Sequence, residues 1–209
     1  MTNYITIVNT NFPQADGPLN PAQWTTLPGT SAMAVASHLA EASVNNTPCA
    51  AFWSADSFPL VGNQWCEAAL HQLGGNTANF VDIFILTSEP SVLGGFFAEA
   101  VSNGNGTIGI SLFDNTSELQ IGPTFNVTFV VDAILRVEFI NGVVTMKYNG
   151  VTIESIGGLS SHNSDSGPPG MFVGTADVVT NATVSHFSAG TIVPSSGSSE
   201  LDFGFRFKF

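Results

Sequence analysis

Apolar and polar residues alternate along most of the chain in short runs closed by Gly, Asn, Pro or Asp, and a sustained helical repeat is hard to find. The pattern is plainest in ILRVEFINGVVTMKYNGVTIESIGG, where Asn141-Gly142 and Asn149-Gly150 separate three runs of β-branched and aromatic residues. Asn-Gly tolerates the positive φ angles of two-residue hairpin turns, so this region reads as a three-stranded antiparallel meander. Further strands are predicted at residues 3–9, 32–38, 48–54, 63–72, 80–87, 94–101, 106–113, 125–131, 170–175 and 182–188. About a dozen short strands at this spacing predict an all-β fold, a two-sheet antiparallel sandwich rather than an α/β protein. The Ala-rich stretch TSAMAVASHLAEAS, residues 30–43, is ambiguous, because it also suits one short helix.

The pattern breaks near the C-terminus. A body of residues 1–190 gives way to a Pro/Ser/Gly-rich linker, 191–199, and then to a strip, 200–209, in which Phe203, Phe205, Phe207 and Phe209 alternate with Gly204, Arg206 and Lys208. So short an alternating segment is not a stable strand alone in water. Three placements are open: an outer strand of its own domain, a strand added to a neighbouring subunit, or an outer-membrane insertion signal ending on Phe209. The linker favours the second, and the third needs lipid-facing alternation in every strand upstream. The four phenylalanines with Arg206 and Lys208 are therefore the expected assembly element, joining the protein to itself or to other subunits.

Charge narrows the partners. Four basic residues against sixteen acidic ones give a net charge of −12, and only Arg136 and Lys147 precede the strip, so phosphate neutralisation has almost no residues to supply it and nucleic acid is excluded. No apolar run reaches the roughly 20 residues of a membrane-spanning helix. The opening MTNYITIVNTNFPQADG lacks a basic segment followed by an apolar one, which predicts synthesis in the cytoplasm without a signal peptide.

The order of NFPQADGPLNPAQWTTLPG, CAAFWSADSFPLVGNQWCEAAL, LRVEFINGVVTMKYNGVTI, SGPPGMFVG and ATVSHFSAG resembles that of the concanavalin A-like (laminin-G-like) jelly-roll modules of phage and bacterial surface proteins. The resemblance spans about residues 5–190, with Trp24 at the family's tryptophan turn, and implies a jelly roll of two curved sheets carrying the C-terminal strip as an extension strand. Members of such a family bind glycans, cleave them or serve as structure, so the fold alone does not choose.

Candidate chemistry is sparse. The E-x-D-x-x-E string of glycanases with this architecture is absent, and Glu67, Asp82, Glu89, Glu99 and Glu138 are scattered singly, so no catalytic residues and no enzyme are expected. The four histidines show no metal-ligand spacing, and no metal site is expected from them. In SHNSDSGPPG, Asn163 and Asp165 offer oxygens that hold Ca²⁺ in some relatives, with an ordinary polar turn as the alternative; no other cofactor is implied. Trp53 and Trp65, with Asn163 and Asp165, are candidates for stacking on and hydrogen-bonding to a glycan, against the alternative that the tryptophans are core. If residues 48–54 and 63–69 form a hairpin, Cys49 faces Cys66, either as free thiols in the cytoplasm or as a disulfide after release.

Two functions follow as expectations. The first is a structural protein of a phage virion, a capsid decoration or tail-fibre component displayed at the particle surface and extracellular after release. The alternative is a lectin-like module binding a host or environmental glycan.

Overall fold

The computed structural model describes residues 2–44, 47, 49–55, 62–73, 75, 77–86, 95–117, 119–174 and 182–194. In chain order the strands are β1 (Thr2–Thr10), β2 (Gly17–Pro18), β3 (Trp24–Thr26), β4 (Met33–Ala36), β5 (Leu39–Ala42), β6 (Cys49–Trp53), β7 (Gln64–Gln72), β8 (Phe80–Ile85) and β9 (Phe96–Ser102). They continue as β10 (Thr107–Asp114), β11 (Leu119–Gln120), β12 (Phe125–Thr128), β13 (Ala133–Ile140), β14 (Val143–Tyr148), β15 (Val151–Ile156), β16 (Gly170–Gly174) and β17 (Thr183–Pro194), with a 3-10 turn over Ser160–Ser164. Sheet A has the order β15-β14-β13-β7-β17-β5-β4-β2, with β1 also on β17; sheet B has the order β11-β10-β9-β8-β16-β6-β3, with β12 also on β10. Every pairing is antiparallel except an isolated bridge between Ser31 and Cys49.

Period-two alternation builds the core. Val81, Ile83 and Ile85 of β8, Ala98 and Ala100 of β9, and Ile108, Ile110 and Leu112 of β10 face Leu135, Val137, Phe139, Val144 and Met146 of sheet A in one apolar cluster. Phe96 stacks on Phe139 across the gap at 5.3 Å, and Trp24 meets Trp53 and Phe187 edge-on at 5.2 and 5.3 Å. The predicted meander is β13-β14-β15, its turns holding Asn141 and Asn149 at φ 49° and their glycines at 80° and 78°.

Residues 30–43 form strands, not a helix. Ser37 and His38 both take positive φ, 51° and 64°, joining β4 to β5 as a tight hairpin, and alternation sends Met33, Val35, Ala40 and Ala42 into the core. A one-sided period of two suits a sheet and wastes a helix, so tertiary burial overrides the helical preference of alanine.

Cys49 and Cys66 do not face one another across a hairpin. β6 pairs with β16 and β3 in sheet B, whereas β7 pairs with β13 and β17 in sheet A, so the chain crosses between sheets where the sequence reading placed a turn. Both thiols are free and buried, and burial pushes the Cys66 thiol well above its ordinary pKa.

Strand β17 extends past the expected boundary at Gly190. It runs to Pro194 in register with β1, pairing Pro194 with Thr2, so residues 191–194 are strand rather than linker. The rest of the linker, 195–199, and the strip with Phe203, Phe205, Arg206, Phe207, Lys208 and Phe209 lie outside the described residues.

Candidate functional site

The predicted glycan residues are not brought together. Trp53 is buried in the core against Trp24, with one edge on a shallow recess beside Asn9, Asn20 and Gln23. Trp65 lies on the outer face of sheet A, but its ring is covered: the Arg136 guanidinium carbon sits 4.3 Å from its centroid and 4.7 Å from that of Tyr4. Arg136 donates to Glu67 at 3.0 Å and to Glu138 at 3.1 Å, and Lys147 pairs with the other oxygen of Glu138. The two cations of the body thus neutralise two glutamates beneath a shallow recess, leaving no free charge for a ligand. Asn163 is exposed on the 3-10 turn, while Asp165 bonds His162 Nδ1 at 2.7 Å. Among the described residues no three His, Cys, Asp or Glu side chains converge in a way that would hold a metal ion.

The outer face of sheet B is different. Its register lays side chains in rows, of which the first reads Phe113, Phe97, Phe84, Gly170 and Phe52 across β10, β9, β8, β16 and β6. The next row reads Ser111, Glu99, Asp82, Phe172 and Ala50, and the third reads Gly109, Val101, Phe80 and Gly174. Two carboxylates therefore sit directly opposite each other on neighbouring strands, with a phenylalanine-rich row on one side and Phe80 on the other. The glycines of β16 make room for these rings: a Cβ on Gly170 would lie 2.3 Å from the Phe84 ring, and one on Gly174 would lie 1.9 Å from that of Phe80. Phe97 stacks on Phe113 at 4.5 Å with the rings 2° from parallel, and Phe172 packs against Phe80 at 5.3 Å.

Between these rows a groove of about 230 Å³ is lined by Leu27, Thr30, Asp82, Phe84, Phe97, Asn115 and Phe172, with room for a sugar-sized ring rather than a drug-sized molecule. Asp82 is only 7% exposed, and its Oδ1 has no hydrogen-bond partner among the described residues. Burial, and then the facing Glu99, hold the Asp82 carboxyl well above the usual carboxylate range; burial raises Glu99 as well. Sequence reasoning passed over both residues as isolated acids. The available signal was an acid between apolar alternations in each of two consecutive strands, Phe80-Val-Asp-Ile-Phe84 and Phe97-Ala-Glu-Ala-Val101.

A carboxyl whose pKa is higher folded than unfolded contributes stability below its unfolded pKa and loses it as pH rises through the folded value. Asp82 therefore opposes folding increasingly as pH rises above the ordinary carboxylate range. Asp82→Asn is expected to raise the melting temperature by about 2–6 °C near pH 8, and the gain should vanish towards pH 4. Calorimetry of both proteins across that range checks this; an equal gain at every pH would mean that the effect is not the charge.

Two inward-facing sheets with this strand order define a concanavalin A-like jelly roll, as the sequence resemblance implied. Solved structures share it. The carbohydrate-binding module CBM66 from Bacillus subtilis superimposes with a TM-score of 0.53 at 14% identity, covering 81% of this chain and 93% of its own. The Emp46p carbohydrate recognition domain in its potassium-bound form gives 0.54 at 13% identity, covering 81% and 88%. An endo-β-1,3-glucanase from Pyrococcus furiosus gives 0.59 at 11% identity, covering 91% and 95%. The sequence matches no family model and no curated protein.

Proposed function

We propose that the protein is a carbohydrate-binding module whose glycan lies on the outer face of sheet B. The observation that carries this reading is the groove in which Asp82 lies among Phe84, Phe97 and Phe172, with Glu99 opposite it on the next strand, since sugars offer a C–H face to aromatic rings and hydroxyls to carboxylates. Carbohydrate-binding neighbours of the same fold support it. The virion role rests on the C-terminal strip, outside the described residues, and on no feature of this groove.

Phe172, half-buried on β16, is the ring whose loss should hurt binding more than folding. Titrating neutral, acidic and amino oligosaccharides into the full chain by calorimetry should find at least one ligand, with affinity about tenfold lower in Phe172→Ala. No bound glycan, or binding indifferent to Phe172→Ala, would sink the proposal.

Glycoside hydrolysis is a second reading, favoured by one observation, the direct opposition of Asp82 and Glu99. Cross-strand neighbours place their Cβ atoms about 4.5–5.5 Å apart, compatible with the carboxyl separation of about 5–5.5 Å in retaining enzymes. Release of shorter sugars from a bound oligosaccharide, abolished in Glu99→Gln, would replace the binding module with an enzyme.

A further inference from the structure

We infer that the groove on sheet B selects a saccharide bearing a free ammonium group, the amine lying between Asp82 and Glu99 under the phenylalanine rings. This rests on the carbohydrate reading and names the ligand class. The first ground is an uncompensated acid: Asp82 lines the groove at 7% exposure, its Oδ1 is enclosed without a hydrogen-bond partner among the described residues, and Glu99 stands opposite on β9. The second is the lack of a cation on any strand of that sheet. The body's two, Arg136 and Lys147, lie in β13 and β14 of sheet A, where Glu67 and Glu138 engage them.

The groups that face the pair are few. From β10 comes Ser111, from β16 Phe172, and the rows beyond contain Phe84, Phe97, Phe80 and Val101; the other acid in the strands of sheet B, Asp114, approaches His162 at 3.7 Å. None of these facing groups is a base. An ammonium group entering here meets two carboxylates and the negative faces of aromatic rings in a partly dry groove, where cation–π attraction is strongest. A neutral sugar supplies no charge to offset the carboxylates, so the same groove discriminates against it.

The test titrates the full chain near pH 5.5 with a glucosamine tetramer, its N-acetylated counterpart, laminaritetraose and propylammonium, in two buffers of different ionisation enthalpy. The expected result is that the glucosamine tetramer binds about 30-fold more tightly than the acetylated one. Binding should release protons, because the ammonium favours the doubly ionised pair over the protonated one. Asp82→Asn and, separately, Glu99→Gln should erase both the preference and the proton release. Equal or better binding of laminaritetraose or the acetylated tetramer would overturn the ammonium inference and leave the carbohydrate reading standing. Propylammonium bound with proton release, but no saccharide bound, would keep the cation cage and overturn the glycan reading. If none of the four binds, both fall.

Discussion

Phe187→Ala is expected to cost about 3–5 kcal/mol, a fall in melting temperature of roughly 6–20 °C for a chain of this size. Phe187 is fully buried on β17, which pairs with β7 along one edge and with β5 and β1 along the other. Its ring packs edge-on to Trp24 at 5.3 Å, so truncation removes an aromatic contact and leaves a void where both sheets contribute atoms. Rigid strands on either side cannot collapse into it. Urea unfolding of the variant measures the effect, and a loss below about 1 kcal/mol would mean that the aromatic cluster repacks freely.

The second large effect is expected at Glu138. Its side chain is 5% exposed and receives Arg136 at 3.1 Å, the Tyr4 hydroxyl at 3.2 Å and Lys147. Removing it in Glu138→Ala leaves two cations facing each other across β13 and β14 without their shared acid. Both are partly solvated and Arg136 keeps Glu67, so the cost should be about 2–3 kcal/mol rather than the larger penalty of a fully buried pair. A double-mutant cycle with Lys147→Ala should return a coupling of about 1 kcal/mol, shrinking with added salt. Zero coupling would show that the ammonium only snorkels past Glu138.

Much of the fold was legible because its signals are local. Asn141-Gly142 and Asn149-Gly150 fix the meander through backbone conformations that few other residue pairs tolerate, and strands such as β7, β8 and β10 announce themselves by composition. What failed was long-range. Residues 49–53 and 64–72 are close in sequence, and a hairpin is the default guess for such neighbours, yet here the chain passes from sheet B at β6 to sheet A at β7 and back to sheet B at β8. The candidate site was hidden for the same reason: Asp82 and Glu99 become a pair only through the register of β8 on β9. Trp65 misled in the opposite direction. A tryptophan on the outer face of a strand suggests a sugar platform, but Trp65 is buried beneath Arg136, whose position above it depends on β13 pairing with β7.

The pairing of Thr2 with Pro194 also has a mechanical consequence. The two ends of the ladder leave side by side from adjacent antiparallel strands, so pulling them apart opens the β1–β17 contact one residue pair at a time, the geometry in which a sheet yields to least force. A load that enters at Pro194 and exits through a ligand on sheet B takes another route, crossing the interior between the two sheets. The same domain would thus be soft to tension between its ends and firm to tension on its cargo, a difference that single-molecule stretching from the two pairs of attachment points would resolve.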